Sequence, residues 1–392
     1  MPQPPTSASL RRSQRWGSEA SSVKRCRLTS GCQERPACIE PCPNVFSGDG
    51  RVALTTHTPA DPETSSMGIA EPCRHAKISV IIPTYKRPQQ LYACLSALTR
   101  QCYPFNRYEV IVVNDGGTSL SPLIKLIENR LEIVLIEQSN TGPAQARNHG
   151  ALVAHGELLA FTDDDCLPSP DWLRQLNMQH RKTPGALLGG KTMNFLSENP
   201  YSATSQMIID VAYEHYNNSP RGCVFFASNN MAIPRADFMK IGGFHPRLRT
   251  SEDREFCDRW LATGRSMKYV ESAVIEHSHF LTFNTFLWQH FCYGRGALHF
   301  YRCAMQQRRL HHGPNLHFQR KLLEAPFKRA SGIRSLTNTA LLCLSQIASL
   351  AGYLHAQGSL LLYPETWGEG TLRPLTSASD GETLGTENEP TA

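Results

Sequence analysis

Between residues 77 and 165 the chain alternates two kinds of segment, and that alternation leaves few folds open. KISVIIPTY (77–85), YEVIVVNDGG (108–117), LEIVLIEQ (131–138) and ELLAFTDDD (157–165) are near-continuous apolar runs rich in β-branched residues. Between them, QQLYACLSALTRQ (89–101) places Leu91, Cys94, Leu95 and Leu98 on one helical face. LSPLIKLIENR (120–130) and TGPAQARNHGALVAHG (141–156, closed by Gly156) read as helices too. A strand that is apolar at every position is buried on both faces, which happens when strands run parallel and helices cover both sides. The expected fold is therefore an open α/β sheet.

Ligands of such sheets bind outside the carboxyl ends of the strands. Three of these ends carry unusual polar groups: Pro83-Thr84-Tyr85, Asn114-Asp115 and Asp163-Asp164-Asp165. They should converge on one crevice. In an extended segment Asp163 and Asp165 share a face while Asp164 points elsewhere. Two neighbouring carboxylates ionise together only with a cation beside them. A hard divalent ion, Mg²⁺ or Mn²⁺, would take one or two of them plus phosphate oxygens. The plain alternative is a solvated acidic turn before Pro168 and Pro170. Asp115 has its own plain role, as a turn former before Gly116-Gly117.

The second half reads differently. In SNNMAIPRADFMKIGGFHPRLRTSEDREFCDRWLATGR (228–265) a short strand ends at Pro234, GGF turns the chain, and a helix starts near Ser251. Glu252 and Asp253 fall in its first turn, where they complement the helix dipole, and Thr250 with Asp253 fits a capping box. VIEHSHF (274–280) ends another apolar strand, with His277 and His279 on one face. FLWQHFCYGRGALHFYR (286–302) is aromatic and basic, interrupted by Gly294 and Gly296. LHFQRKLLEAPFKRASGIRSL (316–336) is either a basic membrane-surface helix broken at Pro326 or an ordinary helix packed on the domain.

The flanks bound the folded part. Residues 1–75 are Ser/Pro-rich and basic, and residues 364–392 are acidic; both read as disordered. Residues 76–300 form the expected domain, divided into 76–166 and 167–300, with a helical extension at 301–363. The chain of 392 residues carries a formal charge of +6, a mild excess that suits an anionic ligand or an anionic membrane surface. The basic arm alone gives no case for nucleic acid. Most of the 13 cysteines sit in apolar patterns, as reduced thiols of a cytosolic protein do. Cys26, Cys32, Cys38 and Cys42 are spaced C-x5-C-x5-C-x3-C, looser than a zinc site built on close pairs, and read as unpaired cysteines in a disordered arm. No signal-peptide core follows the N-terminal arginines, and 339–354 is too short and too polar for a clean transmembrane helix.

SVIIPTYKRP, VIVVNDGG, GPAQARNHG and FTDDDC, in this order and spacing, resemble the GT-A glycosyltransferases of family 2 over roughly residues 77–300. The resemblance implies a Rossmann-like mixed sheet flanked by helices, and a nucleotide-sugar donor. It places Pro83, Thr84, Tyr85 and Arg87 around the base and Asp115 on it, commonly uracil. Arg147 and Asn148 match a donor-side pair, and Asp163 and Asp164 belong to the donor site. Asp165 matches the metal-holding aspartate, with His277, or its rival His279, as a further ligand for Mn²⁺ or Mg²⁺. Asp253, with Glu252 as its rival, matches the catalytic base. Residues 286–302 resemble the YGRG-type segment of bacterial relatives. Gln289 is present, but the Arg and Trp of the processive synthases do not follow it.

A base with no nucleophile on the opposite face implies single displacement with inversion. The expected acceptor is a glycan, a lipid-linked saccharide or a small molecule. The expected location is cytoplasmic, peripheral at the inner face of the cell membrane. Two competing readings are a nucleotidyltransferase, which would want a Gly-rich loop where PTYKRP stands, and an inactive carbohydrate- or partner-binding descendant, against which the full set of acids speaks.

Overall fold

A computed structural model describes residues 22–26, 76–217, 222–306, 316–362 and 374–375. The four apolar runs form β2 (Ile78–Thr84), β3 (Tyr108–Asn114), β4 (Ile133–Glu137) and β5 (Leu158–Thr162). They pair in parallel in the order β4-β3-β2-β5. Alternate residues enter opposite cores: Val80, Ile82, Val110 and Val112 face one layer, Ile81, Ile111 and Val113 the other. That is why the pattern has no polar phase.

Helices α1 (Pro88–Leu98), α2 (Ser121–Lys125) and α3 (Pro143–Val153) connect the strands. Two are shorter than their sequence patterns. The helix expected over 120–130 stops as α2 at Lys125, and α3 ends at Val153, before Gly156. Gly156 serves close approach instead: a Cβ there would lie 2.5 Å from the Ser79 amide nitrogen.

After β5 the chain makes β6 (Cys166–Pro168), α4 (Trp172–Lys182), β7 (Leu187–Asn194), α5 (Pro200–Asn217), β8 (Asn230–Pro234), α6 (Arg235–Ile241), α7 (Glu252–Ala262) and β9 (Met267–His277). The sheet becomes mixed here: β8 is antiparallel to β5 and β7, β9 is parallel to β7, and β6 is antiparallel to β9. One piece of the N-terminal arm expected to be disordered, β1 (Ser22–Cys26), lies antiparallel on β4 and covers that edge. Leu375, from the acidic tail, bonds its N–H to the Met239 carbonyl. The rest of both flanks, with Cys32, Cys38 and Cys42, lies outside the described residues.

The extension consists of α8 (Phe283–Gln306), α9 (Leu316–Arg329) and α10 (Gly332–Leu362). Gly294 and Gly296 do not interrupt α8. A Cβ on Gly294 would lie 1.8 Å from the Ser349 carbonyl oxygen, and one on Gly352 1.9 Å from that of Phe291. The two helices therefore run antiparallel with their backbones in contact, which only glycine permits. Pro326 does not break α9 either. It is buried on the face that packs Leu322 and Ala325 against Met207 and Leu342, and the break falls at Gly332, where φ is +58°. By length and composition alone α10 would cross a membrane: its Ser and Gln residues interrupt the apolar run without lowering the average enough.

Candidate active site

The strand ends do converge. The parallel register that opposes Ile81 to Phe161 carries Thr84 to the level of Asp164, and the Thr84 hydroxyl donates to Asp164 at 2.7 Å. Pro83, Thr84, Tyr85, Arg87, Asp115, Arg147 and all three aspartates line one cavity. Tyr85 keeps an exposed ring at its mouth.

The aspartate triplet is not extended. β5 stops at Thr162, and the Cys166 amide donates to the Asp163 carbonyl, closing a turn. The strand rule for side-chain direction therefore does not apply, and all three carboxylates face the crevice. Nor is the turn solvated: Asp164 and Asp165 are buried. Each carboxylate has a cationic partner, Arg87 serving two of them. Asp163 pairs with Arg147 at 2.6 Å, Asp164 with Arg87 at 3.1 Å, and Asp165 with Arg87 at 2.8 Å. Burial pushes the Asp164 carboxyl up to about 7, against the pull of Arg87.

Asp165 also meets histidine. Antiparallel pairing of β6 with β9 opposes Cys166 to His277, which brings His277 Nε2 to 3.2 Å and His279 Nδ1 to 3.7 Å from the Asp165 carboxylate. Burial disfavours the Asp165 charge, but the His277 bond, Arg87 and His279 together outweigh it and hold the carboxyl well below its usual range. The same bond raises His277 against its own burial, while burial lowers His279 to about 4. The ligand atoms of Asp165, Cys166 and His277 lie within 4.8 Å of one another. Burial pushes the Cys166 thiol up, and a hard ion prefers the oxygen and nitrogen donors beside it. One carboxylate and one or two imidazoles remain, a donor set that fits a divalent ion such as Mn²⁺.

Opposite stands the first turn of α7. No capping box forms there: the helix starts from Ser251 in a left-handed conformation without a side-chain cap, and the Thr250 hydroxyl donates to the Cys292 carbonyl of α8. The acids are left free for other partners. Glu252 accepts Arg147 Nη1 at 2.9 Å. Asp253 accepts the Arg254 amide at 2.7 Å and pairs with no cation among the described residues. Burial and the charge of Asp253 push Glu252 up to about 7, and burial raises Asp253. Arg147, itself buried, thus forks between the aspartate turn and the α7 acids.

Two expected donor residues are engaged by other partners. Asn148 does not reach the crevice: its amide makes a reciprocal pair with Phe244, donating to the carbonyl at 2.7 Å and accepting the N–H at 2.8 Å. Adjacent helix positions do not share a face, so Arg147 and Asn148 had to part. Asp115 lines the crevice, but its oxygens already accept the Thr141 and Gly142 amides, both at 2.8 Å, and the Gln138 amide at 2.7 Å. It holds the β4–α3 loop rather than a Gly-Gly turn. The YGRG-type segment, α8, does line the crevice; the sequence reading missed Arg249, which packs over Gly142 and bonds Asn140, and the rest of the far wall, built by α5, α9 and α10. No motif marks these; only packing brings them in.

A mixed sheet of this order, with acids at its strand ends and a helical extension, is the GT-A fold of nucleotide-sugar transferases. Residues 79–242 match the family model of glycosyl transferase family 2. Among curated relatives, the glycosyltransferase AglE of Haloferax volcanii is 40% identical over 102 residues, 25% of this chain and 33% of AglE. Validoxylamine A glucosyltransferase of Streptomyces hygroscopicus subsp. jinggangensis is 28% identical over 196 residues, 43% of this chain and 46% of the relative. The chain thus matches a third to about half of these relatives' length. Among solved structures, the mannosyltransferase PcManGT from Pyrobaculum calidifontis, in complex with GDP-Man and Mn²⁺, superposes with a TM-score of 0.51. That match covers 75% of this chain and 89% of the other at 18% identity, and it speaks to the fold alone.

Proposed function

We propose that the chain is an inverting glycosyltransferase that moves a sugar from a nucleotide diphosphate, UDP favoured, to a hydroxyl acceptor by metal-assisted single displacement. The observation that carries this is one crevice holding two opposed acid groups, Asp165 with His277 and Glu252 with Asp253, tied together by Arg147. Asp253 is the base. It has no cationic partner among the described residues, and burial raises its affinity for a proton. Glu252 is committed to Arg147 and positions it.

In the reaction the acceptor oxygen bonds to the sugar's anomeric carbon as the bond to the diphosphate oxygen breaks. The hydroxyl proton passes to Asp253, and the nucleoside diphosphate leaves with the electron pair. Asp165 and His277, with His279 beside them, would hold Mn²⁺ or Mg²⁺, which when bound neutralises charge on the departing diphosphate. The imidazoles favour Mn²⁺. Tyr85 offers a ring face to the base. The preference for UDP rests on Asp115. The acceptor is a glycan or a lipid-linked saccharide. The working location is cytoplasmic, with the basic α9 and apolar α10 against an anionic membrane face.

Calorimetric titration of the full chain with UDP, GDP and dTDP, each with and without Mn²⁺, tests this reading. UDP binding that requires Mn²⁺ and disappears in Asp165→Ala is expected. Absence of nucleotide binding under every condition overturns it.

A further inference from the structure

Both buried carboxylates of the aspartate turn have a partner on each oxygen. Asp164 accepts the Thr84 hydroxyl at 2.7 Å on one and meets Arg87 Nη1 at 3.1 Å with the other. Asp165 faces His277 Nε2 at 3.2 Å with one and takes the same Arg87 Nη1 at 2.8 Å on the other. A single nitrogen thus bridges neighbouring carboxylates. A divalent ion held by Asp165 would contest that place.

The three partners are not equally fixed. Thr84 is buried at the end of β2, and His277 is held on β9 by its pairing with β6. The Arg87 side chain is 48% exposed. It leaves the chain at the N-cap of α1 without capping the helix, and among the described residues it bonds only Asp164 and Asp165. Its backbone is pinned on both sides: Lys86 before it holds φ at +57°, and Pro88 after it opens α1. A fixed root under a long, half-exposed side chain lets one guanidinium reach more than one partner.

The loop also sets Arg87 between the two ends of a donor. Tyr85 lies against the glycine turn after β3: a Cβ on Gly116 would come 3.4 Å from its ring, and one on Gly117 3.1 Å from the Lys86 side chain. The ring that can take a base is therefore two residues from Arg87, and Asp165 touches Arg87 from the other side. A nucleoside diphosphate spanning the two must run its phosphates past the guanidinium. That planar fork suits phosphate oxygens as well as carboxylates.

We propose that Arg87 works at two stations. On Asp164 and Asp165 it competes with the divalent ion; on the diphosphate of a bound nucleotide it releases both carboxylates. Nucleotide and ion then favour each other for a reason beyond their direct contact, and by linkage the effect is mutual. The second station rests on the nucleotide-sugar donor proposed above; the competition at Asp165 needs no nucleotide.

The test is Mn²⁺ titration of the full chain, followed by the electron paramagnetic resonance signal of the free ion, with and without UDP. Without UDP, Arg87→Met should bind Mn²⁺ at least about 5-fold tighter than the parent protein, the scale of a partly exposed ion pair. With saturating UDP that advantage should vanish or reverse, because the arginine of the parent has left the aspartates. Arg87→Gln should behave alike, and Asp165→Ala should lose Mn²⁺ under both conditions. An equal gain with and without UDP would mean that Arg87 stays in place and acts only through its charge. An unchanged or weaker Mn²⁺ affinity without UDP would mean that it does not hold the ion's place. Either result overturns the proposal. If UDP binds neither protein, the donor reading fails and the second station falls with it, while the titration without UDP still decides the competition at Asp165.

Discussion

Replacing Arg147 by methionine removes the one buried cation shared by the two halves of the site. Its guanidinium donates to Asp163 at 2.6 Å and to Glu252 at 2.9 Å. Glu252 is buried, whereas the Asp163 side chain is 31% exposed, so water recovers part of the Asp163 charge but little of that on Glu252. Stranding a buried charge costs about 3–5 kcal/mol, and partial hydration of Asp163 places Arg147→Met near 3. Methionine fills most of the volume, so a cavity adds little. The loss must depend on pH. Burial already lifts the Glu252 carboxyl to about 7 with Arg147 in place, and its removal lifts it further. The folded variant therefore keeps a proton on Glu252 at a pH where the unfolded chain has none. A folded-state pKa above the unfolded value means stability that is present at low pH and lost as pH rises through the folded pKa. The deficit against the parent protein should be full near pH 8 and shrink towards pH 5. Urea unfolding of the full chain at several pH values reads this directly. A deficit below about 1 kcal/mol, or one flat across that range, would refute the claim that Arg147 neutralises a buried carboxylate.

Asp253→Asn should leave UDP and Mn²⁺ binding intact and lower kcat by about 10²–10⁴-fold, whereas Glu252→Gln should cost less, as measured by single-turnover transfer. Since burial raises Asp253, kcat/KM should climb with rising pH through a midpoint above the usual carboxylate range and level beyond it; a flat profile would remove Asp253 as base. His277→Ala should weaken Mn²⁺ more than Mg²⁺, read by metal titration followed through bound UDP, because imidazole suits the softer ion. Gly294→Ala should destabilise by about 3 kcal/mol or more in thermal unfolding, as its Cβ has no room beside the Ser349 carbonyl.

Much of the donor half could be read before any coordinates. The β2 to β5 runs are nearly continuous in apolar residues because both faces are covered, so neither partner helix nor neighbour strand had to be known. The polar strand ends stood out against those runs, and a parallel sheet leaves them one place to meet. Other features were legible only in part. A strand pattern says nothing about where its last hydrogen bond falls, so Asp163–Asp165 read as extended although they form a turn. Asn148 carries a motif position but its amide is spent on Phe244, a partner 96 positions away in sequence. Gly294 and Gly296 carried the local signal of helix interruption. Their real constraint lies outside any local window: the Ser349 backbone beside Gly294 and the Thr250 side chain beside Gly296.

The sequence by itself determined the layered sheet, the polar crevice at its strand ends and the residues able to carry charge there, because hydrophobic periodicity and side-chain chemistry are local properties. The tertiary structure alone decided which acids pair with which cations. Arg147 reaches Glu252 across 105 positions, and Arg87 reaches Asp165 across 78. It also brought α5, α8, α9 and α10 to the wall of the same cavity. Charge pairing and cavity shape depend on distances between elements far apart in the chain, and those distances exist only once the helices have packed.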